Sequence, residues 1–412
     1  MKIAFKTIGC KLNQAETEIL KYQFKKENFT LVKWKEEANI YIINTCCVTN
    51  RSSYKCRQAI SEIQKRQNNS KIIVTGCYAQ VYPEEIKNVD FVIGNFEKNN
   101  LLNYIKNIFP KQTTSFFPID DFTDRTRAFV KIQDGCNNKC SYCVVPLARG
   151  KSRSENPNEI LEQIKNIIAN GYQEIVLTGA NLGSYYYENT TLAKLLKQII
   201  EIPKLGRIRL SSIELTEFDD DLIEIINSSK ICNHLHIPLQ NGSEKILKKM
   251  NRNYKLNTYE NLIERLNKSK QDLSIGTDII IGFPEETEKD FLETYNFLKK
   301  LPFSYFHIFP YSPRPKTTAY NFENNISSID IKNRCKKIKI LDLEKRKNFE
   351  KNFLNKELEI IVENTRDKKT NLLKGLSSNY LKILVDGPNT LNRKLIKIKV
   401  TEIKDEILYG IL

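Results

Sequence analysis

The strongest constraint on this chain is an alternation. Short apolar runs trade places with amphipathic helical segments, and that rhythm specifies parallel sheets covered by helices. In the first hundred residues the runs are KIAFKTIG (2–9), NIYIINT (39–45), KIIVTG (71–76) and DFVIG (90–94), with helical patterns at 13–27, 52–67 and 83–88. Residues 1–105 therefore read as an N-terminal α/β domain with a parallel sheet. Residues 106–127 hold two prolines and no period, so they read as a linker. A second series spans 128–356, with strands AFVKIQDG, EIVLTGA, RIRLSSI, HLHIPLQ, SIGTDIIIGF and SYFHIFPYS. Six βα units suit a partial, TIM-like (β/α)6 barrel whose chemistry sits in the loops after the strands. Residues 357–412 change rhythm: ELEIIVEN, YLKILVD and LIKIKVTEI alternate with period two around DGPNT. That predicts a small antiparallel β-barrel.

Three N-terminal strands end in a cysteine: Cys10 in TIGCKLNQ, Cys46 in INTCCVT and Cys77 in VTGCYAQ. Open α/β sheets bind ligands beyond the carboxyl ends of their strands, so three thiols reach one edge. Cys47 points away from its neighbour, and Cys46, which continues the strand directly, is taken as the ligand. Cys47, Cys56, Cys232 and Cys335 read as packing residues. The remaining three, Cys136, Cys140 and Cys143, follow the first barrel strand with the spacing C-x3-C-x2-C. Such a loop can put three thiolates on three irons of a 4Fe–4S cluster and leave the fourth iron open. A zinc site is the alternative, with four ligands drawn from cysteines and the chain's three histidines, His234, His236 and His307.

The formal charge is +16, and it is concentrated. Residues 331–356 read as an amphipathic helix with ten Lys/Arg against three Asp/Glu, and the β segment after it is positive as well. That points to a polyanionic partner such as RNA. No apolar run reaches membrane-spanning length, and Gly9, Lys11 and Asn13 break the start before a signal segment could form. The expectation is a cytoplasmic protein with no membrane partner, in a compartment where thiols stay reduced.

The C-x3-C-x2-C loop after the first barrel strand, with Tyr142 ahead of its last cysteine, resembles the radical S-adenosylmethionine (SAM) superfamily. Upstream cysteines in GC, NTC and GC settings, with a C-terminal TRAM-like barrel, narrow the resemblance to the methylthiotransferases. ARGKSRS (148–154), LTGANLGSY (177–185), RLSSIE (209–214), HIPLQNGSEKILKKMNR (236–252), IIGFPEET (280–287) and FPYSPRPKTTA (309–319) are similar to that family too. TIGCKLNQAETE, NTCCVTN, LTGANLGSY and YSPRPKTTA look most like the branch acting on N6-threonylcarbamoyladenosine (t6A) in tRNA. Leu147 stands where an aromatic is usual, Ala15 where tyrosine is common and Asn241 where serine is common; none is an expected ligand.

The resemblance implies two 4Fe–4S clusters and two SAM molecules per turnover. Cys136, Cys140 and Cys143 would hold the cluster that binds SAM and cleaves it to methionine and a 5′-deoxyadenosyl radical. Cys10, Cys46 and Cys77 would hold an auxiliary cluster carrying the sulfur to be inserted. The radical removes hydrogen from C2 of the adenine, and methylthio transfer at position 37 of tRNA follows. No side chain can deprotonate an unactivated aromatic C–H, so a radical cofactor must act there. Tyr142, Arg149, Gly179, Asn181, Ser211, Ser212 and Glu214 are the expected SAM contacts. Arg153, Arg314, Lys316, Lys336, Lys337, Arg346, Lys368, Lys369, Lys397 and Lys399 are the expected RNA contacts. The implied partners are a tRNA anticodon loop, a reducing electron donor and a sulfur source, and the chain reads as a monomer. Removing 357–412 is expected to weaken tRNA binding and spare SAM cleavage. Two rivals lie inside the family: action on isopentenyladenosine in tRNA, and on an aspartate of a ribosomal protein. A zinc-binding RNA adaptor without catalysis is the rival outside it.

Overall fold

The computed structural model describes residues 1–66, 69–108, 125–404 and 406–412. Most of the expected linker, 109–124, lies outside the described residues. Strands β1 (Lys2–Thr7), β2 (Thr30–Val32), β3 (Ile40–Thr45), β4 (Lys71–Gly76) and β5 (Phe91–Ile93) form one parallel sheet in the order β2-β1-β3-β4-β5. Ile3, Ile40, Ile42 and Ile73 pack on one face with Leu20 and Phe24 of helix α1 (Lys11–Lys26). Ala4, Tyr41, Ile43 and Val74 pack on the other with Ile60 and Ile63 of helix α2 (Asn50–Gln64). Burial on both faces is why these strands read as unbroken apolar runs.

Strand β2 is absent from the sequence expectation, because it is three residues long and partly exposed. It pairs with β1 on the side away from β3 and so reverses the strand order there. Sheets of this order place ligands at that reversal, beyond β1 and β3. The helix expected at 83–88 is only a 3₁₀ turn, Pro83–Glu85, after which Ile86 is extended.

The central strands are β6 (Ala128–Lys131), β7 (Glu174–Thr178), β8 (Arg207–Leu210), β9 (His234–His236), β10 (Ser274–Ile281) and β11 (Tyr305–Pro310). β6, β7 and β8 form one parallel ladder and β9, β10 and β11 another. The Cys232 N–H joins them by donating to the Ile208 carbonyl at 2.8 Å. Spatial order thus follows sequence order, as in a partial barrel. Val130, Ile175, Leu177, Ile208 and Ile275 belong to the large outer core. On the inner face, Ala15 of α1 packs on Phe129 and Val176, so α1 covers the open side of the barrel. The long helix Ser328–Lys351 runs along β11, where Asp342 accepts from the Phe306 N–H at 2.8 Å.

The C-terminal strands β12 (Glu357–Arg366), β13 (Leu373–Ser377), β14 (Lys382–Val385), β15 (Leu395–Lys404) and β16 (Ile407–Ile411) close into a barrel. One pair, β14 with β16, is parallel. The sequence predicts only three of the five strands. β13 and β16 contain Gly375 and Gly410, which weaken a strand pattern. The barrel needs that glycine in β13: a Cβ on Gly375 would stand 2.3 Å from Ile360 Cδ1.

Two arginines of β8 dock this barrel on the central domain. Arg207 donates to the Leu376 carbonyl at 2.7 Å, and Arg209 to the Ser377 and Ser378 carbonyls at 2.9 and 3.0 Å. Glu174 accepts from the Nε of both, at 2.7 and 2.8 Å. Among the described residues no helix is long and apolar enough to cross a membrane.

Candidate active site between two cysteine triads

Cys10, Cys46 and Cys77 follow β1, β3 and β4. Gly9 (φ +117°) and Gly76 (φ +102°) turn the chain just before Cys10 and Cys77, in a backbone region that disfavours side chains. A Cβ on Gly9 would stand 2.7 Å from Cys46 Cβ and 3.1 Å from its Sγ, so the first cysteine loop lies directly on the second. Asn13 laces them, donating to the Ile8 and Thr45 carbonyls at 2.9 Å each. Thr45 Oγ1 reaches the Thr75 carbonyl at 2.5 Å, which ties in the third. Burial pushes the Cys46 thiol up to about 12, and Cys77 and Cys10 add to the rise. Asn95 Nδ2 donates to Cys77 Sγ at 3.3 Å. Cys47 directs its sulfur to the Cys77 carbonyl, and Cys56 to the Cys46 carbonyl, each at 3.4 Å.

Cys136, Cys140 and Cys143 are half-buried after β6. The Ser141 N–H donates to the Met250 carbonyl at 3.0 Å, and the Ser141 carbonyl accepts from Ala319 at 2.7 Å, which clamps the loop from two sides. Burial pushes the Cys143 thiol up to about 12, with Cys140 adding to it. Arg252 Nη1 donates to Cys140 Sγ at 3.4 Å and to Glu214 Oε1 at 3.2 Å. Arg252 is absent from the sequence candidates. It lies within the quoted run 236–252, but nothing local marks it until the fold returns it to a cysteine 112 residues away.

The expected SAM contacts spread around this loop. The Tyr142 ring packs against the cluster of Met250, Ile280 and Phe283. A Cβ on Gly179 would stand 2.7 Å from Gln133 Oε1, the same oxygen that accepts the Asn181 N–H at 2.8 Å. Asn181 Nδ2 donates to Glu217, while Asn181 Oδ1 and Ser211 Oγ are buried without a partner among the described residues. Two orphaned oxygens at adjacent strand ends are what a polar ligand would complete. Ser212 is exposed.

Arg149 closes the short helix Val145–Arg149 that follows the second triad. Val144 and Ala148 share one apolar cluster with Cys46 and Cys77. The Arg149 guanidinium donates to Glu16 and Asp134 at 2.8 Å each and to Asn13 at 2.5 Å. Lys98 adds a bond to Glu16 at 2.6 Å. Burial opposes the Glu16 charge, yet Arg149 and Lys98 hold its carboxyl well below the usual carboxylate range. Arg149, expected at SAM, thus ties the N-terminal domain to the cluster loop.

Both donor sets fit iron–sulfur clusters. Each offers three thiols and a side-chain N–H aimed at a sulfur. Tetrahedral zinc would hold three thiolates about 3.8 Å apart. Among the described residues the only His, Cys, Asp or Glu triad with donor atoms within 4.8 Å of one another is His236, Asp278 and His307, so neither cysteine triad is that tight.

The expected RNA contacts divide sharply. Arg314 is a correction: it is buried against α2, donating to Ser53 at 3.1 Å and to Ser312 at 2.7 Å, with Asn50 also in its grip. The Pro-rich loop docks on the N-terminal domain, where Arg314 is buried in contacts between the two. Lys316 bonds the Val81 carbonyl at 2.7 Å, and Arg153 pairs with Asp134 at 2.6 Å. Arg346 pairs with Asp342 at 2.9 Å and Lys337 with Glu288 at 3.6 Å. Lys397 and Lys399 stand across the ladder from Glu359 and Glu357. Lys336, Lys368 and Lys369 are exposed on the helix and on the turn after β12.

Residues 130–298 match the Radical SAM superfamily, whose members use SAM and a 4Fe–4S cluster. Residues 2–94 match a family described as Uncharacterized protein family UPF0004. The Bacillus subtilis protein "Threonylcarbamoyladenosine tRNA methylthiotransferase MtaB" is 38% identical over 97% of this chain and 93% of its own length. A Thermosipho africanus protein, "tRNA-2-methylthio-N(6)-dimethylallyladenosine synthase", is 34% identical over 100% of this chain and 99% of its own. The structure of the radical SAM methyltransferase TsrM from Kitasatospora setae superimposes with a TM-score of 0.58 over 76% of this chain and 74% of that one, at 13% identity, a likeness of fold alone. Kinship over nearly the whole length, laid on this fold, makes the chain a member of the radical SAM tRNA methylthiotransferases.

Proposed function

We propose that this enzyme transfers a methylthio group to C2 of t6A at position 37 of tRNA. The observation that carries the reading is that two cysteine triads meet at one short helix: Val145–Arg149 begins just after Cys143, and Asn95 donates both to the Ala148 carbonyl at 2.8 Å and to the Cys77 sulfur at 3.3 Å. When bound, two 4Fe–4S clusters would supply one-electron cleavage of SAM and the sulfur to be inserted. Cys136, Cys140 and Cys143 hold the first, with Arg252 on the Cys140 sulfur. Cys10, Cys46 and Cys77 hold the second, with Asn95 on the Cys77 sulfur. Asn181 Oδ1 and Ser211 Oγ present unpaired acceptors to SAM. Lys336, Lys368 and Lys369 grip phosphates, and the target base leaves a single-stranded loop at small cost. Higher identity to the threonylcarbamoyladenosine relative than to the dimethylallyladenosine one favours t6A. The chain works as a monomer in the cytosol, served by an electron donor and a sulfur source.

Two measurements test this. Nucleosides of tRNA from a strain lacking the gene should lose methylthio-t6A and keep methylthio-isopentenyladenosine; the reverse would overturn the substrate. Anaerobically reconstituted protein should hold about eight irons per chain, and about four after Cys136, Cys140 and Cys143 are changed to alanine. With Cys10, Cys46 and Cys77 changed instead, SAM cleavage should persist and methylthio product vanish. Full iron in the first triple variant would refute the cluster assignment.

A further inference from the structure

The fold gathers all three histidines of the chain on β9 and β11, the two strands that flank β10. His236 Nε2 lies 2.9 Å and His307 Nδ1 3.1 Å from one atom, Asp278 Oδ1. Register explains the convergence, since Asp278 on β10 stands directly opposite His307 on β11. Ligands held about 2.1 Å from an ion lie about 3.0 Å apart along an octahedral edge, close to both of these separations, and about 3.4 Å apart along a tetrahedral one.

The surroundings suit a ligating imidazole. His236 Nδ1 faces the Tyr305 hydroxyl at 3.2 Å, and that hydroxyl faces His234 Nε2 at 2.8 Å. A Cβ at Gly276 would stand 2.1 Å from Tyr305 Cζ, so this glycine makes room for the ring. A metal-bound His236 needs a bare Nε2 and therefore carries its proton on Nδ1, where Tyr305 accepts it. Such outer bonds orient metal-bound histidines. His234, whose buried Nδ1 has no partner, takes whichever tautomer the phenol leaves it. The His307 side chain is 51% exposed, so further coordination positions open to solvent.

We propose that His236, Asp278 and His307 form a divalent-cation site, distinct from both cysteine triads, with open positions for an oxygen ligand. Two imidazoles and a carboxylate suit a first-row ion such as Mn²⁺, Fe²⁺ or Zn²⁺. Mn²⁺ is the discriminating probe, because hard ligands attract it and thiolates do not.

The test titrates MnCl2 into protein reconstituted with its iron–sulfur clusters and follows the free Mn²⁺ electron paramagnetic resonance signal. The expected result is saturable uptake of one ion per chain, displaced by Zn²⁺. Asp278→Asn and His307→Gln should each weaken uptake at least tenfold with iron content unchanged. Because His307 is exposed, His307→Gln decides the matter even where Asp278→Asn disturbs folding. No saturable uptake, or uptake unaltered by His307→Gln, would overturn the site.

Discussion

The guanidinium of Arg252 stands 3.4 Å from the sulfur of Cys140, with its other bonds made to Glu214, the Tyr254 hydroxyl and the Pro238 carbonyl. Outer partners of this kind are worth roughly 10–100-fold in metal affinity or activity. Arg252→Gln should therefore lower 5′-deoxyadenosine formation by about that factor, and because it leaves the Glu214 carboxylate without its buried partner the melting temperature should fall too. Arg252→Lys keeps the charge but not the fork, so it should recover only part of the rate. Normal rates in Arg252→Gln would remove the residue from the site.

Gly9 bears on the upstream triad alone. An alanine there meets both a positive φ, costing about 1–3 kcal/mol, and the Cys46 side chain. With two clusters as proposed, the Gly9→Ala protein should keep about four of the eight irons and still cleave SAM. Iron content at the wild-type level would show that the loop yields without losing its ligand.

Glu174 is shared by two buried arginines. Glu174→Ala should cost roughly 3–5 kcal/mol, since it strips a buried charge pair of one partner. The same geometry bears on the expectation that residues 357–412 can be removed with SAM cleavage spared, because the barrel is docked on the central domain. Truncation uncovers Arg207 and Arg209 and strips His234 of the Tyr380 ring stacked on it, centroid to centroid 4.3 Å away. Calorimetry of the truncated chain should show a lowered melting temperature, and SAM cleavage should fall with it.

Acid should loosen this junction. Burial favours the neutral acid, but Arg209 and Arg207 outweigh it and hold Glu174 down to about 2, against 4.5 for an ordinary glutamate. A depressed pKa stabilises the fold above the unfolded value and stops doing so as pH falls through the folded one. Melting temperature should thus decline as pH drops from 4.5 toward 2. Glu174→Gln should flatten that decline, and an equally steep one would place the acid-sensitive group elsewhere.

Lys336, Lys368 and Lys369 are exposed cations available to phosphate, as are Lys397 and Lys399. Each lost contact should reduce the slope of log affinity against log salt by about 0.7–0.9. Filter binding of tRNA to Lys368→Ala/Lys369→Ala protein reads this directly. Arg314→Ala should instead destabilise the loop's contact with α2 and leave the slope unchanged.

Strand and helix rhythm, the three-part architecture and the six cysteines at strand ends were legible in the sequence. Each rests on local periodicity, or on a spacing within a few residues, and such patterns survive in one dimension. Tertiary structure alone decided which charges meet water and which meet a buried carbonyl. Arg314 and Lys336 look alike as letters, and only burial separates them. The switch point hung on β2, too short to show a period, and β13 on a glycine that packing demanded. Arg252 at Cys140, Arg149 between two domains and the three histidines around Asp278 all join residues far apart in the chain. Contacts of that kind follow from how strands stack and cross, and no local pattern carries them.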